Sequence, residues 1–310
     1  MAGCFIVSFD CEGKWGMADH LTGDHHRFLT DENLTKVYHD LVAMLGDHEI
    51  PATFAFVMAF LLDEGERRLF KDELAPRDQS DRWLSDVVRG QATNGQGWFQ
   101  PGILGAVKAE GAHEIACHGF CHRSLGAGEL SDEAARRELG AAERVARLKN
   151  IGLETLVFPR NRVGNLPAVR DAGYLGYRRR KLQTTRLPAK LANLAEELDM
   201  FPAPERAVAA TPGELVAIPH GHFFNWRYGS RRLVPPAVTV KRWRTLLDRA
   251  ADEQGVAHLW LHPHNLITAP STWEPFRQVL AHAQRLTQSG RLELLTQADY
   301  CRKMQLAIGT

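Results

Sequence analysis

The chain has 310 residues, of which 44% are hydrophobic and 24% are charged. This composition is typical of a globular protein and excludes a disulfide-stapled miniprotein and an intrinsically disordered chain. The formal net charge is only +1, whereas proteins that mainly hold nucleic acid or anionic membranes carry a clear basic excess.

Membrane insertion and secretion are also disfavoured by the sequence. The longest apolar stretch, Pro51–Leu62, is too short to span a bilayer. The short apolar run at the N-terminus lacks a basic segment and is interrupted by Asp10 and Glu12, unlike a signal peptide. The 5 cysteines show no disulfide spacing, which suits a reducing compartment. We therefore expect a cytoplasmic protein with no transmembrane segment and no nucleic-acid partner.

Short apolar runs alternate with helical or loop segments along the chain. The clearest helix begins after the N-cap Ser131 and runs to about Lys149, and two further helices are predicted over Val240–Ala251 and Trp273–Thr287. Repeated strand–helix–strand order predicts a parallel sheet, either open or closed into a barrel. The predicted strands are Cys4–Phe9, Ala52–Val57, Glu114–Cys117, Thr155–Phe158, Leu215–Ile218, Ala257–Leu261 and Leu292–Leu294.

Two stretches break this pattern, at residues 68–101 and 181–211. The first is polar and contains Trp83 and Trp98. Because apolar sequence of the same style continues on both sides, we interpret residues 1–310 as a single domain with two insertions or irregular loops.

Polar residues follow the carboxyl ends of five predicted strands, where parallel α/β folds build their active sites. Chance would scatter such residues over both ends of the strands. The sets are Asp10-Cys11-Glu12, His118 to His122, Arg160-Asn161-Arg162, His220-Gly221-His222 and His262-Pro263-His264-Asn265.

His118 and His122 have the spacing that points two imidazoles to one side of a helical turn, ready to share a metal. A lone pair of this kind is more often a pair of surface or capping histidines. Asp10 and Glu12, two residues apart after a strand, tip the balance here, because two histidines and a carboxylate form a common catalytic zinc set.

These strand ends, taken in order, resemble the motifs of the polysaccharide deacetylases, carbohydrate esterase family four with its NodB homology domain. The matching segments are Ser8 to Gly13, His113 to His122, Phe158 to Asn161 and Leu259 to Pro263. The resemblance spans residues 4 to about 266. It implies an α/β fold of the distorted (β/α)7 TIM-like barrel type and metal-dependent hydrolysis of an N-acyl amide on a sugar.

The resemblance also implies roles for individual residues. Asp10 corresponds to the catalytic base, His118 and His122 to metal ligands, and His262 to the general acid. Arg160 corresponds to the arginine that orients the base, although Arg162 competes for that role. The implied cofactor is one divalent transition metal, zinc first, with cobalt, nickel or iron also compatible with such ligands.

Three departures from the family pattern leave alternatives open. The usual second aspartate is replaced by Cys11, so the third metal ligand is either Glu12, our choice, or the Cys11 thiolate. The family's aspartate–tryptophan motif has Asn225-Trp226 as its nearest counterpart. No partner is assigned to His262.

Other residues near these motifs are candidates for substrate binding, each with a plainer alternative. Trp15 either stacks on a sugar ring or packs as a lid, and a backbone N–H near Asn161 is a candidate oxyanion donor. The histidines at 20, 25 and 26 lie either in a solvated loop or against substrate. The basic run Arg178–Lys181 is interpreted as a solvated face, with contact to a nucleotide or lipid diphosphate as the alternative. The substrate-binding candidates are Trp15, Asn161, Arg162, His222 and His264.

The leading hypothesis is a hydrolase that removes an acetyl or formyl group from an amino sugar, or from a sugar on its carrier. The expected cytoplasmic location favours a step in surface-polysaccharide biosynthesis. One alternative is hydrolysis of a non-sugar cyclic amide on the same barrel, since fold does not fix substrate. The other is a non-catalytic sugar-binding or assembly protein, an alternative kept open by Cys11.

Overall fold

The computed structural model describes residues 2–78, 80–181, 195–207, 211 and 213–307. The strands of the described chain form one sheet. They are β1 Gly3–Cys11, β2 Thr53–Phe56, β3 Glu114–Cys117, β4 Thr155–Leu156, β5 Gly176–Arg178, β6 Val216–Ile218, β7 His222–Phe223, β8 Val256–Leu261 and β9 Leu292–Leu295.

The sheet is parallel throughout and has the order β6-β5-β4-β3-β2-β1-β8-β7. Strand β1 is central: it pairs with β8 on one side, and on the other with β9 along its first half and β2 along its second. Every residue of β1 is buried, which explains its continuous apolar run. The predicted fold class, an α/β distorted (β/α)7 barrel, is confirmed as a parallel half-barrel.

Helices cover the sheet and present apolar faces to it. In α7, Ser131 caps the N-terminus by accepting a hydrogen bond from the Ala134 N–H, as the sequence predicts. The helices are α1 Gly23–Phe28, α2 Asp31–Asp47, α3 Glu64–Arg67, α4 Lys71–Leu74, α5 Arg82–Thr93, α6 Ile103–Ala109, α7 Asp132–Leu148, α8 Leu166–Asp171, α9 Pro236–Glu253, α10 Pro263–Thr268, α11 Trp273–Gln288 and α12 Gln297–Leu306.

All seven predicted strands and the three predicted helices are confirmed, with ends that differ by a few residues. Two strands were missed, β5 and β7. Both are very short, and β5 runs into a series of basic residues, so neither has the apolar run by which the others were found.

The predicted insertion at residues 68–101 folds over the edge of the sheet near β3. Its Trp98 is fully buried, and the Trp83 indole N–H donates to the Cys121 carbonyl at 2.7 Å. Most of the predicted insertion at 181–211 lies outside the described residues. The single-domain organisation stays a prediction. Within the described chain, no helix is long and apolar enough to cross a membrane.

Candidate metal centre and active site

The carboxyl end of the sheet brings the predicted chemical residues together. Glu12 follows β1, His118 follows β3, and His262 follows β8. Because β1 lies between β2 and β8 in the sheet, its end is central, and the histidines approach Glu12 from both sides.

Glu12, His118 and His122 form a buried cluster. Oε2 of Glu12 lies 3.4 Å from Nε2 of His118 and 2.9 Å from Nε2 of His122. One ligand atom from each residue fits within 4.8 Å of the others. Burial acts to raise the pKa of Glu12, but the neighbouring His262 and His122 hold it well below its usual range. The carboxylate therefore stays ionised at neutral pH.

A tight loop, rather than the helical turn suggested by the spacing, joins the two histidines. Gly119 and His122 have positive φ angles of 78° and 62°. The buried Glu138 of α7 accepts hydrogen bonds from the N–H groups of Phe120 and Cys121 at 2.9 and 2.8 Å. These contacts hold the loop so that the imidazole centroids of His118 and His122 lie 4.9 Å apart.

This donor set fits a divalent transition metal. His118 donates from Nδ1 to the Val157 carbonyl at 2.8 Å, which leaves the lone pair of Nε2 facing Glu12, the tautomer that metal-bound histidines adopt. Nδ1 of His122 is buried without a hydrogen-bond partner in the described chain, and its Nε2 faces Oε2 of Glu12. Two neutral imidazoles and a carboxylate match the three-ligand sets of catalytic zinc sites.

Cys11, the alternative ligand, points away from this cluster. Its thiol is fully buried and donates to the Phe9 carbonyl at 3.5 Å. Burial raises the pKa of the Cys11 thiol well above its ordinary value, so it stays protonated. In the described chain the carboxylate of Glu12, and not this thiol, faces the two histidines.

Asp10, the predicted base, forms a buried pair with Arg178. The guanidinium donates to both carboxylate oxygens at 2.8 and 2.6 Å, and a further N–H reaches Oδ1 of Asn161 at 2.8 Å. Burial acts to raise the pKa of Asp10, but Arg178, together with His118 and His262, holds the pKa below its usual value. The interpretation of Arg178 as part of a solvated face was wrong, because its side chain is fully buried.

The two arginines suggested for the role of orienting Asp10 lie elsewhere. Arg160 pairs with Asp19 at 2.7 Å and covers the Trp83 ring at 4.8 Å, and Arg162 pairs with Glu129 at the surface. Asn161 does lie at the site, through its side chain. Its own backbone N–H donates to the Phe158 carbonyl at 2.9 Å, so an oxyanion donor in this segment would have to be a neighbouring N–H.

Behind this pair lies a buried polar chain. The Ser8 hydroxyl lies 3.5 Å from the Arg178 guanidinium and 2.8 Å from Nε2 of His258. Nδ1 of His258 donates to the Pro219 carbonyl at 2.6 Å. Burial first, and then the charge of Arg178, lower the pKa of His258 to about 3. His258 is therefore neutral, and the chain supports the guanidinium without adding charge.

His262 lies on the opposite side of Glu12 from the His118–His122 loop. Its Nε2 is 3.5 Å from Oε1 of Glu12, and Oδ1 of Asn265 lies 3.1 Å from its Nδ1. Asn265, which sequence analysis did not assign, therefore fixes the ring. His264 is buried and stacks against His262, with ring centroids 5.0 Å apart.

A pocket of about 290 Å³ opens beside His262. His264 lines it, and so do His20 and His25 of the segment between β1 and α2. Trp226, the nearest counterpart of the family's aspartate–tryptophan motif, forms part of the wall and stacks on Tyr228 with centroids 4.8 Å apart. An aromatic wall beside polar groups suits a sugar ring.

The other candidate substrate residues, among them Asn161 and Arg162, do not line this pocket. Trp15 is fully buried, with its indole N–H donating to the Trp98 carbonyl at 2.6 Å, so it is a core residue and not a stacking platform. Nδ1 of His222 lies 2.6 Å from a carboxylate oxygen of Glu196 and its ring packs against Trp243, and neither of these partners lines the pocket.

Comparison with protein-family models and with curated proteins finds no match. Solved structures do match. A protein from Mycobacterium smegmatis described as a polysaccharide deacetylase has a TM-score of 0.61 at 16% identity, with 99% of this chain and 92% of that chain covered. Puue allantoinase has a TM-score of 0.52 at 13% identity, with 96% and 89% covered.

A GH57 branching enzyme from Thermococcus kodakaraensis, solved with glucose, also has a TM-score of 0.52, at 11% identity, with 98% of this chain and 71% of that chain covered. Identities this low show a shared fold alone. The resemblance to the polysaccharide deacetylases, which rests on short motifs in the sequence, is therefore confirmed at the level of the fold.

Proposed function

We propose that this protein is a metal-dependent hydrolase that removes an acetyl or formyl group from the nitrogen of an amino sugar. One observation carries the proposal. The buried carboxylate of Glu12 faces two histidines on one side and His262 on the other. A second buried carboxylate, that of Asp10, lies at the end of the same strand and is paired with an arginine. Metal-dependent hydrolysis of an amide uses a metal site, a base and an acid in this kind of proximity.

Glu12, His118 and His122 are the residues that would hold the metal. Zinc is the first choice, and cobalt, nickel and iron accept the same ligands. A divalent metal held there supplies Lewis-acid polarisation of the acyl carbonyl and activation of water. The residues of the chain then bind the substrate, orient it and move the protons.

Asp10 is the proposed base, which takes a proton from the attacking water. Its bidentate pairing with Arg178 keeps the carboxylate ionised and fixes the direction of its oxygens. Arg178 thus takes the orienting role that sequence analysis gave to Arg160. A base held in one orientation avoids the loss of rate that follows from small misplacements.

His262 is the proposed acid, which protonates the departing nitrogen through Nε2. Asn265 orients the ring through Nδ1, and Nε2 faces the Glu12 carboxylate at 3.5 Å. His262 also lines the pocket with Trp226, so the sugar nitrogen is expected on that side. The acyl group would then lie toward Asp10.

The proposed substrate is an N-acylated sugar, free or on a carrier, in a cytoplasmic step of surface-polysaccharide biosynthesis. The aromatic wall of the pocket supports a sugar ring as ligand. All five cysteines are buried free thiols, which supports a reducing compartment.

A second candidate is hydrolysis of a cyclic amide, favoured by the fold shared with an allantoinase. The two activities are separated by assaying the metal-loaded protein on N-acetyl and N-formyl amino sugars and, in parallel, on cyclic ureides. Release of amine from the sugars alone supports the deacylase proposal. Turnover of the ureides alone would replace it with the second candidate.

Metal content and turnover together test the assigned roles. We expect about one transition metal per wild-type chain and none in a His118→Gln/His122→Gln variant. Asp10→Asn should keep the metal and lower kcat by about 10²- to 10⁴-fold. Undiminished turnover in Asp10→Asn would show that Asp10 is not the base. A metal-loaded wild type that binds glycan without turnover would identify a sugar-binding protein instead.

A further inference from the structure

We propose that Glu12, His262 and His264 form a second, weaker binding site for a divalent transition metal, adjoining the first through the shared carboxylate. One ligand atom from each of these residues lies within 4.8 Å of the others. The site is separate from the Glu12–His118–His122 set, because the histidines come from the other side of the carboxylate, after β8.

The two oxygens of Glu12 face different histidines. Oε2 is 2.9 Å from His122, whereas Oε1 is 3.5 Å from Nε2 of His262. A carboxylate whose two oxygens face different imidazoles has the arrangement of a ligand that bridges two metal ions. In two-metal hydrolases such bridges hold the ions about 3.5–4 Å apart.

The orientation of His262 is that of a metal ligand. The Oδ1 of Asn265, a pure acceptor, lies 3.1 Å from Nδ1, so Nδ1 carries the hydrogen. In the neutral ring, Nε2 then directs its lone pair toward the Glu12 carboxylate. Two acceptors 3.5 Å apart repel each other unless a proton or a cation lies between them. His118 shows the same arrangement, with the Val157 carbonyl in place of Asn265.

His264 provides the independent observation. It is only 7% exposed, and its Nδ1 is buried without a hydrogen-bond partner in the described chain. A buried imidazole nitrogen left unpaired is costly, and a ring nitrogen of His264 lies within 4.8 Å of ligand atoms of Glu12 and His262. The pocket that His264 lines with Glu12 and His262 is open to solvent, so an ion can reach the site.

The second site is expected to bind more weakly than the first. Both share the single charge of Glu12, and a cation already held by His118 and His122 repels another one nearby. The second ion should therefore bind only when metal is in excess.

Occupation of this site has a consequence that rests on the proposed function. A metal on Nε2 of His262 occupies the lone pair through which that ring would carry the proton for the leaving nitrogen. Excess metal should then inhibit the hydrolase, whereas one equivalent activates it.

The test is a titration of the metal-free protein with Zn²⁺, followed by calorimetry and by equilibrium dialysis with elemental analysis. Wild type should bind two equivalents, the second more weakly. His264→Gln should keep the first equivalent and weaken the second by about tenfold or more. Retention of the first equivalent also shows that the variant is folded, and His262→Gln gives an independent repeat.

His25→Gln is the matched control, because His25 lines the same pocket but lies outside the ligand set. It should still bind two equivalents. A wild type that binds only one equivalent at saturation overturns the second site and leaves the proposed function intact. Loss of the second equivalent in His25→Gln but not in His264→Gln also overturns it. Two bound equivalents without hydrolysis of any acyl sugar would contradict the proposed function and not this inference.

Discussion

At the scale of single residues, the buried Asp10–Arg178 pair governs the chemistry that this site can perform. Taking both charges out of water is costly, and the cost is met by two short hydrogen bonds between them and a third to Asn161. The Arg178 guanidinium also lies over the Trp260 ring at 4.5 Å. A substitution that changes the shape of either side chain should therefore disrupt these contacts.

Arg178→Lys should therefore impair activity although it keeps the charge, because lysine lacks the planar fork that binds both oxygens of Asp10. We expect kcat to fall by about 10²-fold, with a smaller change in KM, since the base is misplaced and the pocket is not. Arg160→Lys is the control and should have a minor effect. If steady-state kinetics show a larger loss of kcat in Arg160→Lys than in Arg178→Lys, the orienting role belongs to Arg160.

His258 predicts a pH dependence of stability. Its pKa is lowered to about 3, first by burial and then by Arg178, whereas an unfolded histidine has a pKa of about 6.5. Between these values the unfolded chain gains a proton that the folded chain does not, so the folded state loses stability as pH falls. The limit is about 1.4 kcal/mol per pH unit.

Replacing this ring removes that contribution. His258→Gln should be less stable than wild type at pH 7 but should lose less of its free energy of unfolding between pH 7 and pH 5. Urea unfolding at both pH values measures this. If the free energy of unfolding of the variant changes with pH as steeply as that of wild type, the acid sensitivity comes from other groups.

At the scale of elements, α7 positions the metal loop from a distance. Its Glu138 accepts from two loop N–H groups, and the Cys121 thiol donates to the same carboxylate at 3.3 Å. The Trp83 indole N–H fixes the Cys121 carbonyl from the other side. A loop with a positive φ angle at His122 needs such contacts, because the left-handed conformation is costly for a side chain of this size.

Glu138→Gln should accordingly weaken metal binding without removing a ligand. Loss of the charge weakens both hydrogen bonds to the loop, and we expect the metal affinity to fall by about tenfold or more. Competition with a chromophoric chelator measures this. Glu133→Gln, on the exposed face of the same helix, is the control and should match wild type. Equal metal affinities in wild type and in both variants would show that the loop keeps its conformation without Glu138.

At the scale of the whole molecule, the proposed metal site joins the ends of β1 and β3, and those strands belong to the central part of the sheet. A ligand that binds only the folded state adds stability that depends on its concentration, about 4 kcal/mol at a thousand times Kd. Metal should thus raise the melting temperature of the entire barrel and not of one loop.

The expected outcome is a single calorimetric transition that moves to lower temperature when a chelator removes the metal and returns on addition of Zn²⁺. In His118→Gln the chelator should cause little shift, and one equivalent of Zn²⁺ should raise the transition temperature much less than it does in wild type. A shift of similar size in that variant would place the stabilising ion outside the Glu12–His118–His122 cluster.

The sequence by itself determined the class of fold and the centre of the site. Buried parallel strands must be apolar along their length, so seven of them could be predicted from apolar runs in the sequence. The residues that follow such runs must meet at one edge of the sheet. Glu12, His118, His122 and His262 were found in this way, and the structure brings all four together.

The tertiary structure decided which side chains support that centre. Arg178 lies on a strand of three residues with no apolar run, and its partner Asp10 is distant in sequence, so no local pattern joins them. Trp15 follows Glu12 closely yet is buried by Trp98 of a remote segment. Burial and pairing across the fold depend on how separate segments pack, and a pattern within one segment carries no record of that packing.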